Sequence, residues 1–258
     1  MTDPTGQRAL ARAMEDTEQL LLYYQPIHCA TSGDIYGAEA LLRQRRQNGE
    51  VREASIIPET AEESDGDELF RLDSMLINRA YVDAARWQEQ FPEVRLNVNL
   101  SPRELQEGNV IERLTTLVAS CGIDHRKVNL EITETSHIDD PEETMDVLRA
   151  IKEIGVGLWL DDFGMGFSSL SHLQHFPLDG IKLPGGFIRR LPEDERCRAI
   201  SRALIQLAHD LGLRVIAEEV EKQDQLEFLE EHRCDYIQGF LFSKPMPLEP
   251  FQRTLERS

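Results

Sequence analysis

The chain has 258 residues, 40% of them hydrophobic and 29% charged, with a formal net charge of −19. That length supports one large core and matches an eightfold β/α barrel, while the acidic balance disfavours nonspecific binding to nucleic acid polymers or anionic membranes, which needs clustered Lys and Arg. No apolar run approaches the ~20 residues of a membrane-spanning helix, and the opening residues lack a signal-peptide core, so a cytoplasmic protein without membrane contact of its own is expected.

In chain order, residues 1–18 read as a polar helical lead-in and residues 19–258 as a single barrel domain. Strands are expected at Leu21–Ile27 and Ile35–Leu42, joined by a turn at Thr31–Asp34 too short for a crossover helix, so this first pair should be antiparallel. A helical pattern over Asp67–Gln90 follows, then a strand at Val94–Leu100 and a helix over Ser101–Cys121, where Ser101, Pro102 and Glu104 read as its start. The alternation continues with strand Val128–Thr133, helix Pro141–Ile154, strand Val156–Leu160, helix Ser168–His175 and strand Gly180–Leu183. It ends with helix Glu193–Leu211, strand Arg214–Ala217, helix Asp224–Glu231, strand Tyr236–Phe240 and a closing helix from Glu249. About eight strands alternating with helices favour an α/β fold, a TIM-like (β/α)8 barrel, over an open sheet.

Acidic and amide residues recur where these strands end: Glu39, Asn99, Glu131, Asp161, Asp162, Glu218 and Gln238. In a parallel barrel those ends converge on one mouth. Carboxylates gathered there repel one another unless protons or cations neutralise them, which points to a metal site. Alternatives stand beside each position. Glu39 could face solvent, Asn99 could satisfy backbone groups at a strand end, Glu134 could cap a helix, and the Asp161-Asp162 pair could cap a turn. Lys182, between Ile181 and Leu183, either faces these acids or a phosphate, or snorkels outward. Cys29, Cys121, Cys197 and Cys234 form no C-x-x-C pair, and the chain has no P-loop, H-E-x-x-H or G-x-S-x-G motif. Reduced thiols are expected; P-loop nucleotide binding, zinc proteolysis and serine acyl transfer are unsupported.

At these residues the chain resembles the EAL domains that hydrolyse cyclic di-GMP, named for the motif present here as Glu39-Ala40-Leu41. The resemblance runs from Tyr24-Gln25-Pro26-Ile27 through Gln238-Gly239-Phe240. It implies a bacterial signalling phosphodiesterase that opens cyclic di-GMP to linear pGpG through a metal-activated water. Glu39, Asn99, Glu131 and Asp161 would hold a first Mg2+ or Mn2+, and Asp161 and Asp162 would help hold a second. Ca2+ would inhibit. Glu218 resembles the acid that binds metal or its water, Lys182 the cation that orients water and phosphate, and Gln238 their polar support. Arg43 resembles a phosphate contact, and Glu134 the acid that steadies the loop from Asp162 to Ser169. A homodimer and, in a longer parent chain, sensory or GGDEF domains are implied as partners.

The chain departs from the pattern in four places. The segment after Pro58 is shortened, Pro184 replaces an Asp, Met165 a Thr, and Glu219 the Gly of Ala-Glu-Gly-Val-Glu. The extra Glu219 would crowd the mouth or shift its charge. These departures favour one alternative, a weak or inactive cyclic di-GMP receptor that acts through a partner; a barrel hydrolase for another phosphodiester is a third reading.

Overall fold

The structure is a computed structural model describing residues 20–46, 48–53, 66–101, 104–105, 109–133, 141–165 and 169–258. The helical lead-in, the segment after Pro58 and Glu134 lie outside the described residues.

Strand β1 (Leu20–Cys29) pairs antiparallel with β2 (Ile35–Arg45), in a register that sets Gln25 against Glu39. A short strand, β3 (Val51–Glu53), then extends the outer edge of β2. Helix α1 (Gly66–Gln88) leads to β4 (Arg95–Leu100), α2 (Val110–Cys121) to β5 (Val128–Thr133), and α3 (Pro141–Ile154) to β6 (Gly157–Asp161). Helix α4 (Ser169–His175) precedes β7 (Gly180–Leu183), followed by the short helix α5 (Gly185–Ile188), α6 (Glu195–Asp210) and β8 (Arg214–Ala217). Helix α7 (Gln223–Glu231), β9 (Tyr236–Ile237) and α8 (Leu248–Leu255) complete the described elements.

Neighbouring strands run in the order β1-β9-β8-β7-β6-β5-β4-β2, and the β1–β2 pairing closes the ring into an eight-stranded mixed barrel. The first strand is antiparallel to both of its neighbours, as the short turn after it predicts. The other seven barrel strands are parallel, so their carboxyl ends open at one mouth; β3, outside the ring, is antiparallel to β2.

Two expectations need correction. The helix expected over Ser101–Cys121 is described from Val110 to Cys121, with Asn109 as its N-cap, although Ser101 and Glu104 do make a reciprocal cap: the Glu104 N–H donates to Ser101 Oγ at 3.3 Å, and the Ser101 N–H to Glu104 Oε2 at 3.1 Å. Glu104 is buried and held by Arg113 at 2.5 Å. The strand expected over Tyr236–Phe240 stops at Ile237, where the chain leaves the sheet and the Gln238 carbonyl accepts the Val220 N–H at 3.1 Å.

Strand residues alternate between the barrel interior and the helix layer. Outward-facing Leu96, Val98, Leu130, Leu158, Ile181 and Val215 join Ile77, Leu114, Ile151 and Ile205 from the helices in one core. Each such side chain contributes about 1.5–3 kcal/mol when buried. The floor of the barrel is a separate plug of Ile27, Trp159 and Ile216, backed by Tyr36 and Tyr236 stacked 3.8 Å apart. Gly180 makes room for it, since a Cβ there would lie 2.5 Å from the Trp159 ring. On the antiparallel side, Tyr24 packs between Trp87 and Phe251 and donates its hydroxyl to Asp83 at 2.9 Å.

His28, on β1, is buried against Phe242, with Nδ1 at 2.9 Å from the Gly33 carbonyl and Nε2 without a partner among the described residues. Burial holds its pKa below the usual value near 6.5, against a smaller opposing effect of the Gly33 hydrogen bond. The unfolded chain therefore takes up a proton that the native state refuses, so stability falls as pH drops below about 6.5. A His28→Asn variant should lose part of that slope, read as a smaller change in melting temperature between about pH 7.5 and about pH 5.5. An unchanged slope would mean that His28 titrates normally in the native state.

Candidate active site at the barrel mouth

Lys182, projecting from the middle of β7 into the barrel, is only 1% exposed. Its ammonium group lies 2.8 Å from Glu218 Oε1, 2.9 Å from Glu131 Oε2, 3.3 Å from Glu39 Oε2 and 3.4 Å from Asp161 Oδ1. Four strands thus deliver four carboxylates to one cation. The outward snorkel is ruled out, and the carboxylates keep Lys182 protonated well above the ordinary range although burial opposes the charge.

The acids respond unequally. Burial pushes Glu39 up, but Lys182 and hydrogen bonds from Gln238 and Asn99 bring it to a net lowered pKa. Glu131 is raised well above the carboxylate range by burial and by the charge of Glu39. Glu218 is pushed up to about 7 by burial, helped by Asp161 and Glu39 and resisted by Lys182. Such spreading of neighbouring carboxyl groups is a common mark of a working site.

Amides fix the orientation of these acids. Asn99 Nδ2 donates to Glu39 Oε1 at 2.9 Å, and Gln238 Nε2 donates to Glu39 Oε2 at 2.7 Å and to Gln25 Oε1 at 3.1 Å. Below them, Asn129 Nδ2 donates to Asn97 Oδ1 at 2.9 Å and Asn97 Nδ2 to Glu131 Oε1 at 2.6 Å, forming a column down the barrel. Asn97, Asn129 and Gln25 were not among the sequence-predicted site residues. The signal was present: Asn97 and Asn99, like Asn129 and Glu131, stand two apart on a strand and so share a face.

On the rim, Asp161, Asp162 and Glu218 each bring one carboxylate oxygen to within 4.8 Å of the others. Asp162 adopts a left-handed backbone, φ 53°, and its N–H donates to Asp161 Oδ1 at 2.9 Å. The turn-capping alternative is thus present together with the acid cluster. These are hard oxygen donors of the kind that Mg2+ and Mn2+ take. The buried Gln238, whose amide donates to Glu39, leaves its Oε1 without a partner among the described residues. The donor set fits a divalent cation.

Arg43 stands apart. Its guanidinium donates to the Leu42 carbonyl at 2.9 Å and reaches Glu53 on β3 at 3.5 Å, with no described hydrogen bond to the cluster. Glu219 corrects an expectation: its carboxylate does not crowd the acids but forms a two-pronged pair with Arg189.

Residues 7–245 match the EAL domain family. The chain is 33% identical over 250 residues to the cyclic di-GMP phosphodiesterase NbdA of Pseudomonas aeruginosa, covering 96% of this chain and 32% of that protein. It is also 33% identical over 249 residues to the cyclic di-GMP phosphodiesterase PdeR of Escherichia coli, covering 96% and 37%. The chain therefore spans about a third of the length of these curated relatives. Among solved structures, the PaMucR phosphodiesterase in complex with c-di-GMP superposes with a TM-score of 0.87 at 29% identity, over 96% of this chain and 99% of that one. The EAL enzyme Bd1971, bound to cAMP and cyclic di-GMP, superposes with a TM-score of 0.90 at 26% identity, over 97% and 69%. Barrel, acid-lined mouth and sequence match agree: the chain belongs to the EAL domain family.

Proposed function

We propose that this domain is a metal-dependent phosphodiesterase that hydrolyses cyclic di-GMP to linear pGpG. The observation that carries the proposal is Lys182 buried among four carboxylates directly beneath the Asp161–Asp162–Glu218 trio. The named relatives and the nucleotide-bound neighbours support the choice of substrate.

In this reading Asp161, Asp162 and Glu218 would hold one cation, and Glu39, Asn99, Glu131 and Asp161 a second. When bound, Mg2+ or Mn2+ supplies Lewis-acid neutralisation of a phosphodiester oxygen and acidifies a water. Lys182 presents a permanent positive charge to the phosphate and to the attacking water. Glu218, whose carboxylate lies 2.8 Å from the Lys182 ammonium at the rim, accepts the proton of the attacking water on a carboxylate oxygen. The new oxygen–phosphorus bond forms as the bond to the 3′-oxygen breaks; that oxygen takes a proton from solvent, and Glu218 returns the proton it received from the water to solvent. Gln238 and Asn99 keep Glu39 from rotating away. Arg43 would reach a phosphate only by releasing Glu53, an exchange that its weak, exposed partner permits. The same reading takes a second copy and appended sensory domains as partners, and a cytoplasmic setting.

Turnover in water enriched in heavy oxygen tests the mechanism. One labelled oxygen should enter the 5′-phosphate of pGpG, with product formed in Mg2+ or Mn2+ and not in Ca2+, whose larger, looser shell holds the site without aligning it. Nucleotide found covalently attached to the protein would contradict direct attack by water.

A further inference from the structure

Glu219 follows Glu218 directly and adopts a left-handed backbone, φ 53°, where the family resemblance leads one to expect glycine. A side chain in that region is strained unless its surroundings enforce it. Here they do. Arg189, at the carboxyl end of α5, grips the Glu219 carboxylate with Nε on Oε2 and Nη2 on Oε1, the latter at 2.7 Å. A two-pronged guanidinium–carboxylate pair fixes direction as well as distance. The Glu219 side chain lies flat on α5: a Cβ at Gly185 would come within 2.1 Å of Glu219 Oε2, so only glycine admits it.

The turn held in this way carries a site acid. The Glu218 N–H donates to the Leu183 carbonyl at 3.0 Å and the Val220 N–H to the Gln238 carbonyl at 3.1 Å, while Glu218 Oε1 reaches Lys182 at 2.8 Å. Helix α5 also touches the loop that bears Asp161 and Asp162, since a Cβ at Gly164 would lie 3.1 Å from the Phe187 ring. One short helix therefore braces both loops that supply the acid trio.

We propose that Arg189 and Glu219 form a positioning clamp, which holds residue 219 in its left-handed conformation so that Glu218 faces Lys182, Asp161 and Asp162. The ion pair performs the task a glycine would perform by conformational freedom, and its relevance to catalysis rests on the function proposed above.

The test is a double-mutant cycle of Arg189→Ala, Glu219→Gly and both together, in the full chain. Hydrogen exchange of a peptide covering residues 214–222 is read without metal, and Mn2+ affinity is then measured by calorimetry without nucleotide. Arg189→Ala should speed exchange at the 218 and 220 amides and weaken Mn2+ binding by about fivefold to tenfold, with the melting temperature little changed. In the Glu219→Gly background the same substitution should change either quantity by less than about twofold, because glycine needs no clamp. Equal losses in both backgrounds, or no loss from Arg189→Ala alone, would overturn the clamp. If exchange follows the cycle but no variant binds Mn2+, the clamp stands and the metal-dependent function falls.

Discussion

Replacing Lys182 with Met will lower the melting temperature of the metal-free protein by roughly 6–20 °C and make that loss largely recoverable with Mg2+ or Mn2+. The ammonium group is the shared counter-ion of Glu39, Glu131, Asp161 and Glu218, each within 3.4 Å of it. Removing one partner of a buried ion pair costs about 3–5 kcal/mol, because the remaining charge is left without compensation in a poorly solvated place. For a chain of this size each kcal/mol is worth roughly 2–4 °C. Some of the deficit will be relieved by proton uptake, and Glu131, already raised, is the first candidate. Differential scanning fluorimetry with EDTA or with metal measures both parts. A variant as stable as the parent without metal would mean that the acids need no counter-ion and that Lys182 is not their organising charge.

The second large effect is catalytic. Glu218→Gln will reduce kcat for cyclic di-GMP by about a thousandfold while leaving the barrel folded, the range expected for loss of a positioned proton acceptor. Gln is nearly isosteric and can still meet Lys182 through its amide oxygen, so the loss would report proton transfer and metal ligation rather than packing. Circular dichroism and the melting temperature should stay close to the parent, since Glu218 sits beyond the end of β8 and outside the apolar core. A variant retaining more than about a tenth of the parental kcat would reassign the base.

The barrel could be read from the sequence because its signals are local. Val128–Thr133, Gly180–Leu183 and Arg214–Ala217 are short apolar runs with sharp ends, and the structure places strands on those same residues. The antiparallel start followed from one four-residue turn, Thr31–Asp34. Elements defined by distant partners escaped. Strand β3 is three residues long and exists through its pairing with β2, and α5 rests on Glu219, thirty-odd positions away in sequence. The helix start at Val110 was hidden because Ser101 and Glu104, nearer the preceding strand, carry a genuine capping pattern of their own.

The site was legible to a similar degree. Glu39, Glu131, Asp161, Glu218 and Gln238 converge as their places along the strands imply, with Lys182 facing them from the middle of β7. Asn97 and Asn129 look like ordinary strand amides until the register aligns them beneath Glu131. The partner of Glu219 could not be found by inspection, because Arg189 is one of several exposed arginines and only the left-handed turn aims the acid at it.

The most direct test incubates the purified protein with cyclic di-GMP and Mg2+ or Mn2+, resolving products by ion-exchange chromatography beside EDTA and Glu39→Ala controls. The proposed function predicts pGpG that both controls abolish. Binding of cyclic di-GMP with no pGpG under any metal would contradict it and make the domain a receptor.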